Sequence, residues 1–345
     1  MGRVFASKLC RCVEAPHPLI SNFPRRFLDA RKVNGTVPSL RRCGGSSCPN
    51  CPSRRLLSMI RNSNLRTPFV SGLLAGSAAI VTGGGSGLGR QIALGLAEGG
   101  ARVVVSGRRQ DLLEDVCDQV RSTGGEAIAS TCDVRDPEAV AALVASAEEA
   151  VGPIDLLVNN AGATFTCPSE ELTPNGFRAV VETDAFGTFY ACQEFGRRVI
   201  ARGTGGAILN ITSTSPFTGN PGRIHGGVGK AGVESLTKSL AVEWGPHDIR
   251  VNALAPGYTP TAGVDRATGV SAGAVDDNLQ RLAGTVPLGR VGTVDEIAWP
   301  AVFLLSPAAS FINGAVLVVD GGKWLSSGRR IGGAQSSSET MPSPN

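Results

Sequence analysis

The stretch with the plainest chemical use is Thr82-Gly83-Gly84-Gly85-Ser86-Gly87-Leu88-Gly89. Glycines at 83, 87 and 89 let a backbone turn tightly, approach a pyrophosphate and pack a helix against a strand. The helix that such a turn opens presents free N–H groups and its positive dipole end to phosphates. Gly83, Ser86, Gly87, Leu88 and Gly89 are therefore candidate cofactor-binding residues. Ser106-Gly107-Arg108-Arg109 carries a second signal. A site for NAD would usually place an acid here for the ribose hydroxyls, whereas Arg108 suits the 2′-phosphate of NADP(H). The same two arginines could also simply solubilise the next helix. Asp133, followed by Val134, fits a partner for an adenine amino group or an N-cap for the following helix. In Asn159-Asn160-Ala161-Gly162, small residues would let a cofactor lie against the backbone.

These residues need a frame. Residues 78–81 are a short apolar run, 90–97 carry apolar residues at helical spacing, and 102–106 read as a second buried strand. Strand, glycine turn, helix, strand is the opening of a βαβ unit. A helix over roughly 110–123 leads to a third strand at 127–131, and a fourth at 154–158 ends at Asn159, on the carboxyl edge where ligands bind. A long helix pattern from about 174 to 201 contains Asp184. Residues 207–213 form a fifth strand, and Lys230 opens or continues a helix running through Glu243. A sixth strand, 250–254, is closed by Pro256-Gly257, and 315–319 form the last. Between them, 258–289 show little periodicity apart from 275–282, an irregular insert where a substrate lid would sit. The alternation argues for one α/β domain over 71–325, built on a doubly wound parallel sheet.

The charge is uneven. Of 33 basic and 29 acidic residues, 13 basic and two acidic ones fall in residues 1–66, leaving 20 basic against 27 acidic in the rest. The overall basicity belongs to the N-terminal segment and gives no sign of nucleic-acid binding by the domain. No apolar run approaches the ~20 residues that span a bilayer. Residues 1–70 are Arg-rich, acid-poor and sprinkled with Ser, the composition of a targeting peptide. A disordered basic tail, or a true start at Met59, would fit the same composition. Cys43, Cys48 and Cys51 have the spacing of one iron–sulfur ligand set, but no fourth cysteine follows before Cys117, so no metal site is expected. Cys117, Cys132, Cys167 and Cys192 are scattered, as reduced thiols would be. Residues 326–345 read as a disordered tail.

Taken together, Thr82-Gly83-x3-Gly87-x-Gly89, Asn159-Asn160-Ala161-Gly162, Asn210-Ile211-x-Ser213, Lys230, Pro256-Gly257 and Asp320-Gly321-Gly322 resemble the short-chain dehydrogenase/reductase superfamily over residues 74–325. That resemblance implies a Rossmann-type sheet of seven parallel strands in the order 3-2-1-4-5-6-7, and homotetramers. One departure stands out. The superfamily's catalytic tyrosine lies four residues before the lysine and thirteen after the serine, and both counts reach Gly226. The two tyrosines present, Tyr190 and Tyr258, fit neither count. Alcohol–ketone chemistry needs that phenol to move the hydroxyl proton.

A branch without that tyrosine reduces carbon–carbon double bonds of acyl-CoA thioesters, and the chain looks like its peroxisomal 2,4-dienoyl-CoA reductases. The likeness runs through Asp133-Val134-Arg135-Asp136-Pro137, Pro174-Asn175-Gly176-Phe177-Arg178, Asp184, His225, Lys230, Glu243-Trp244-Gly245-Pro246 and the run from Gly314 to Leu325. The related 2-enoyl-CoA reductases have arginine where Lys230 stands and asparagine where Asp184 stands. The mitochondrial dienoyl reductases have a tyrosine where Ser215 stands. The resemblance implies NADPH as cofactor and an acyl-CoA as substrate. Lys230 would hold the nicotinamide ribose, and Asp184 would supply the proton directly or through water. Ser213 would donate to the thioester oxygen or, instead, cap nearby backbone. Asn160 and Gly162 would line the nicotinamide, with Pro256, Tyr258 and Thr259 on its carboxamide side. His225 is read as a packing residue and given no catalytic role. The compartment is organellar, a peroxisome by resemblance or a mitochondrion by the Arg-rich N-terminus. A 2-enoyl-CoA reductase and a non-catalytic NADP-binding protein are the alternatives.

Overall fold

A computed structural model of the protein describes residues 72–261 and 275–326. The 1–70 extension with Cys43, Cys48 and Cys51, part of the 258–289 insert and the tail after Ser326 lie outside the described residues. Seven strands form one parallel sheet: β1 (Ala78–Thr82), β2 (Arg102–Gly107), β3 (Ala127–Thr131), β4 (Leu156–Asn159), β5 (Gly206–Ile211), β6 (Ile249–Pro256) and β7 (Val316–Val319). Their order is β3-β2-β1-β4-β5-β6-β7, as the family resemblance implied. The order reverses between β1 and β4, which pair in parallel from Ala79–Leu156 to Thr82–Asn159. A ligand crevice forms outside the strand ends at such a reversal.

The strands are apolar on both sides because helices cover both faces. On one face Ala79, Val81, Val103 and Val105 pack with Ile92 and Leu96 of α1 (Gly87–Glu98) and Leu113 and Val116 of α2 (Gln110–Ser122). Ile297 and Ala301 of α9 (Val294–Leu305) complete that layer. Ala78, Ile80, Val104 and Leu157 point the other way. They meet Val140 and Leu143 of α3 (Pro137–Val151), Phe195 and Val199 of α5 (Gly187–Arg202), and Leu240 and Trp244 of α7 (Ile224–Trp244). Residues two apart thus share a face, as strand geometry requires. Among the described residues no helix is long and apolar enough to cross a membrane.

Several boundaries differ from the sequence reading. The long 174–201 pattern is two helices, α4 (Pro174–Val181) and α5, joined by a π turn over Glu182–Phe186. Apolar periodicity does not register a single wider turn, so the break is invisible in sequence. Strand β5 stops at Ile211, leaving Ser213 in the turn before the short α6 (Ser215–Thr218). Lys230 continues a helix that starts at Ile224. The 275–282 periodicity is α8 (Val275–Gly284). Helix α9 went unread, although Thr293 and Glu296 form a reciprocal capping box at its start.

Candidate functional site

The glycine turn is built as a cradle. Gly83 has φ +62°, and a Cβ there would stand 2.9 Å from Ala161 Cα, so only glycine fits this close approach to the end of β4. Gly87 has φ +57°. A Cβ on Gly89 would lie 2.3 Å from Asn160 Nδ2 and 2.4 Å from the Gly83 carbonyl oxygen, so α1 packs backbone against backbone. The first turn of α1 holds no acid, and the half-buried Ser86 side chain makes no capping bond. The helix N-terminus therefore keeps its N–H groups for an anion, and a pyrophosphate fits it. Leu88 turns inward against the core.

Asn160, expected with Gly162 to line a nicotinamide, turns its side chain to the glycine turn. Its amide donates to the carbonyls of Thr82 (3.0 Å) and Gly83 (3.1 Å). The Thr82 hydroxyl accepts the N–H of Asn160 and of Ala161, both at 3.1 Å, and donates to the Val158 carbonyl. These bonds tie the glycine turn to the end of β4, and they leave backbone, not the Asn160 side chain, as the surface at Ala161 and Gly162.

Beyond the tip of β2, Arg108 is exposed. Asp133 is engaged by Arg135, whose Nε lies 3.0 Å and terminal nitrogen 2.5 Å away. Hydrogen bonds from Arg135, with a smaller contribution from the Arg108 charge, hold the Asp133 carboxyl below the usual carboxylate range. Asp133 is not the cap of α3. Asp136 is, accepting the N–H groups of Glu138 and Ala139, so that reading of Asp133 is corrected. Val134 is buried against Gly187, where a Cβ would meet its Cγ2 at 2.7 Å.

The π turn and α7 bring the two principal ionisable candidates together. Asp184 is 1% exposed, and its Oδ1 stands 3.7 Å from Lys230 Nζ. The same oxygen accepts the Ala163 N–H at 2.9 Å, and Lys230 Nζ donates to the Ile211 carbonyl at 3.0 Å. Two glycines make the space. A Cβ on Gly162 would sit 3.0 Å from Asp184 Oδ1 and 3.3 Å from Lys230 Nζ, and one on Gly229 would sit 2.9 Å from Asp184 Cβ. The wider turn frees backbone carbonyls, and the Thr188 hydroxyl takes that of Asp184 at 2.7 Å. Burial pushes the Asp184 carboxyl above its ordinary pKa, against the opposing pull of Lys230, the Ala163 N–H and His225. A buried acid beside a cation, at the strand ends, can hold and deliver a proton.

Ser213 is half-buried, and its hydroxyl oxygen accepts the Ser215 N–H at 3.3 Å, leaving its proton to donate elsewhere. At Gly226 a Cβ would meet only Thr164 Oγ1, at 3.7 Å, and no phenol stands there. Beneath the site Asn159 donates to Asn210 and Asn210 to Thr237, both at 2.9 Å, while Thr212 donates to the buried Glu234 at 3.2 Å. This network fixes α7, and with it Lys230, against β4 and β5. The sequence reading assigns this network no role and passes over Ala163 and Gly229, while Thr82 enters it only as part of the glycine motif. Pro256 ends β6. Tyr258 and Thr259 line a pocket of about 100 Å³ with Leu288, Arg290 and Asp320, and neither Asp184 nor Lys230 lines it. The Thr259 hydroxyl turns back to the Gly257 carbonyl at 3.3 Å.

Residues 83–323 match the family described as enoyl-(acyl carrier protein) reductase. A Bacillus subtilis protein named "Probable 2,4-dienoyl-CoA reductase [(2E)-enoyl-CoA-producing]" is 42% identical over 249 residues, covering 72% of this chain and 96% of its own. The rat peroxisomal 2,4-dienoyl-CoA reductase, named as (3E)-enoyl-CoA-producing, is 40% identical over 266 residues, covering 76% and 89%. A crystal structure of gluconate 5-dehydrogenase from Burkholderia cenocepacia with NADP and tartrate is 35% identical, with a TM-score of 0.68, covering 73% of this chain and 97% of that one.

Proposed function

The chain belongs to the short-chain dehydrogenase/reductase family of oxidoreductases, and within it we propose an NADPH-dependent reductase of 2,4-dienoyl-CoA thioesters. The observation that carries this reading is the buried Asp184–Lys230 pair beside a glycine at position 226. Alcohol–ketone redox calls for a phenol, and position 226 holds none. Reduction of a conjugated thioester calls instead for charge stabilisation at an oxygen and a proton for carbon.

A nicotinamide cofactor, when held by the glycine turn, would supply the hydride for the far end of the diene. Electrons then move to the thioester oxygen, giving a dienolate, and the chain's task is to hold that charge and return a proton. Lys230 keeps the local potential positive and orients the ribose. Ser213 donates to the thioester oxygen. Asp184, directly or through water, protonates the carbon next to the thioester and is left as a carboxylate beside Lys230. The remaining double bond then lies at C3, giving a 3-enoyl-CoA, whereas protonation two carbons further along would give the 2-enoyl product. Arg108 at the end of β2 favours the 2′-phosphate of NADPH. A peroxisomal rather than mitochondrial location belongs to the same proposal, by likeness to the rat relative, and so does the homotetrameric assembly that the superfamily resemblance implies.

The test is loss of NADPH absorbance by the full chain with a 2,4-dienoyl-CoA, run beside NADH and a trans-2-enoyl-CoA, with the product double bond placed by NMR. Dienoyl turnover with a 3-enoyl product is expected. Turnover of the enoyl substrate alone would assign a 2-enoyl-CoA reductase. NADPH binding without turnover of either would leave a binding protein.

A further inference from the structure

His225 neighbours Gly226, and the proposed reaction gives it no task. Its ring is fully buried, and neither ring nitrogen makes a well-formed hydrogen bond among the described residues, the Phe165 backbone standing close enough to pull on it. Leaving a buried polar group unpaired costs about 1–3 kcal/mol, which packing alone does not explain. The ring stacks on Phe165, centroids 4.4 Å apart and planes inclined by 30°. Helix α7 sets His225 one turn before Gly229 on the same face. Gly229 is the residue packed against Asp184 Cβ. Imidazole and carboxyl thus lie over successive turns of one helix face.

The groups facing them are few. The π turn contributes Asp184, α7 contributes Lys230, the residue capping its start is Arg223, and the segment after β4 contributes the Ala163 N–H and the Phe165 backbone. Burial holds the His225 ring below its ordinary pKa, with Arg223 acting the same way, while the Phe165 backbone and Asp184 favour its charged form. Burial likewise favours a neutral Asp184. Each group alone resists charge, and each one's charge eases the other's.

We propose that His225 is a positioning residue for Asp184: the two hold one proton between them, and a proton taken up at either seat reaches the substrate through Asp184. This rests on Asp184 being the proton source. The proton leaves the carboxyl for the substrate carbon, the pair is left with a carboxylate and a neutral ring, and one proton from water restores it. A second proton would set an imidazolium beside Lys230 with no buried anion, so the pair stops at one.

Two measurements test this. The chain has three histidines, so ¹³C-histidine NMR of the full chain, assigned with His225→Phe or, should that not fold, His225→Gln, follows the ring directly. Asp184→Asn removes the anion that favours the charged ring, so the His225 titration midpoint falls. An unchanged midpoint overturns the proposal, whatever the protein's substrate proves to be. In the second measurement, kcat with NADPH and a dienoyl-CoA is followed from about pH 5 to about pH 10. Losing one seat moves the alkaline decline of His225→Phe down by about half a unit, a roughly three-fold loss of kcat on that limb. NADPH affinity is retained. A superimposable alkaline limb makes His225 a packing residue and overturns the proposal. Failure of the unmodified enzyme to turn over a dienoyl-CoA would instead count against the substrate reading, and the NMR result decides alone.

Discussion

Asp184→Asn separates the proton from the shape that carries it. Asparagine keeps the side-chain oxygen that accepts the Ala163 N–H but cannot give up a proton at working pH. Removing a positioned general acid costs typically 10²–10⁴ in rate, or about 3–5 kcal/mol in the barrier. We therefore expect kcat with a dienoyl-CoA to fall roughly 10²–10⁴-fold while the NADPH dissociation constant changes by less than about three-fold.

The same substitution has a stability signature of known sign. At 3.7 Å the Asp184–Lys230 attraction is gross about 4 kcal/mol at an effective dielectric near 20. Burial nonetheless outweighs it, because the carboxyl pKa is raised on balance. The folded protein therefore keeps a proton at Asp184 that the unfolded chain releases. Stability from that proton is complete below the ordinary carboxylate value and falls by about 1.4 kcal/mol per pH unit up to the raised one. Asparagine mimics the protonated form at every pH. The stability of Asp184→Asn relative to the unmodified protein should thus grow with pH across that window and then level off. Denaturant melts at a series of pH values read the gap, and NADPH oxidation reads kcat. An activity within about three-fold of the unmodified protein, or a gap that stays flat or narrows, would refute the assignment of Asp184 as a buried proton donor.

Other outcomes follow from the geometry. Gly162→Ala brings a Cβ 3.0 Å from Asp184 Oδ1 and 3.3 Å from Lys230 Nζ, so kcat should drop about ten-fold or more with NADPH affinity little changed; equal losses in both would point to general disorder. Thr82→Val takes the acceptor from the N–H groups of Asn160 and Ala161 and should cost about 2–4 kcal/mol in a urea melt. A loss under ~0.5 kcal/mol would mean the hydroxyl is dispensable. Arg108→Ala should weaken NADPH by about 10–100-fold and leave NADH unaffected, and parallel weakening of both would rule out a contact to the 2′-phosphate.

What could be read in the sequence was whatever a local pattern forces. The Gly83, Gly87 and Gly89 spacing announces its own turn, because positive φ and backbone contact admit nothing larger. The strands announce themselves because sheet residues covered on both faces must all be apolar. The absence at Gly226 was countable from Ser213 and Lys230. What escaped is non-local. That Asn160 grips the glycine turn depends on β4 lying beside β1, 77 residues apart in the chain. The bond from Ala163 to Asp184 spans 21 residues, and the Asn159–Asn210–Thr237 chain joins three elements. Polar side chains at such positions look the same in sequence as solvated ones. Helix α9 was legible through its capping box but lacks a polar face to mark its period, seven of its twelve residues being buried.

The π turn sets the phase between two halves of one rod. An α-helix advances 100° per residue, and a turn closed at i+5 holds one residue more than an α turn. Helix α5 can therefore keep Ala191, Phe195 and Val199 in the core while α4 is clocked separately by that amount and packs on α7. A one-residue deletion at 182–186 would rewind the turn and swing the carboxylate of Asp184 away from Lys230, with every core residue of α5 unmoved. In hereditary terms, the loss of a single codon there would re-aim Asp184 relative to Lys230 on a scaffold that otherwise folds alike.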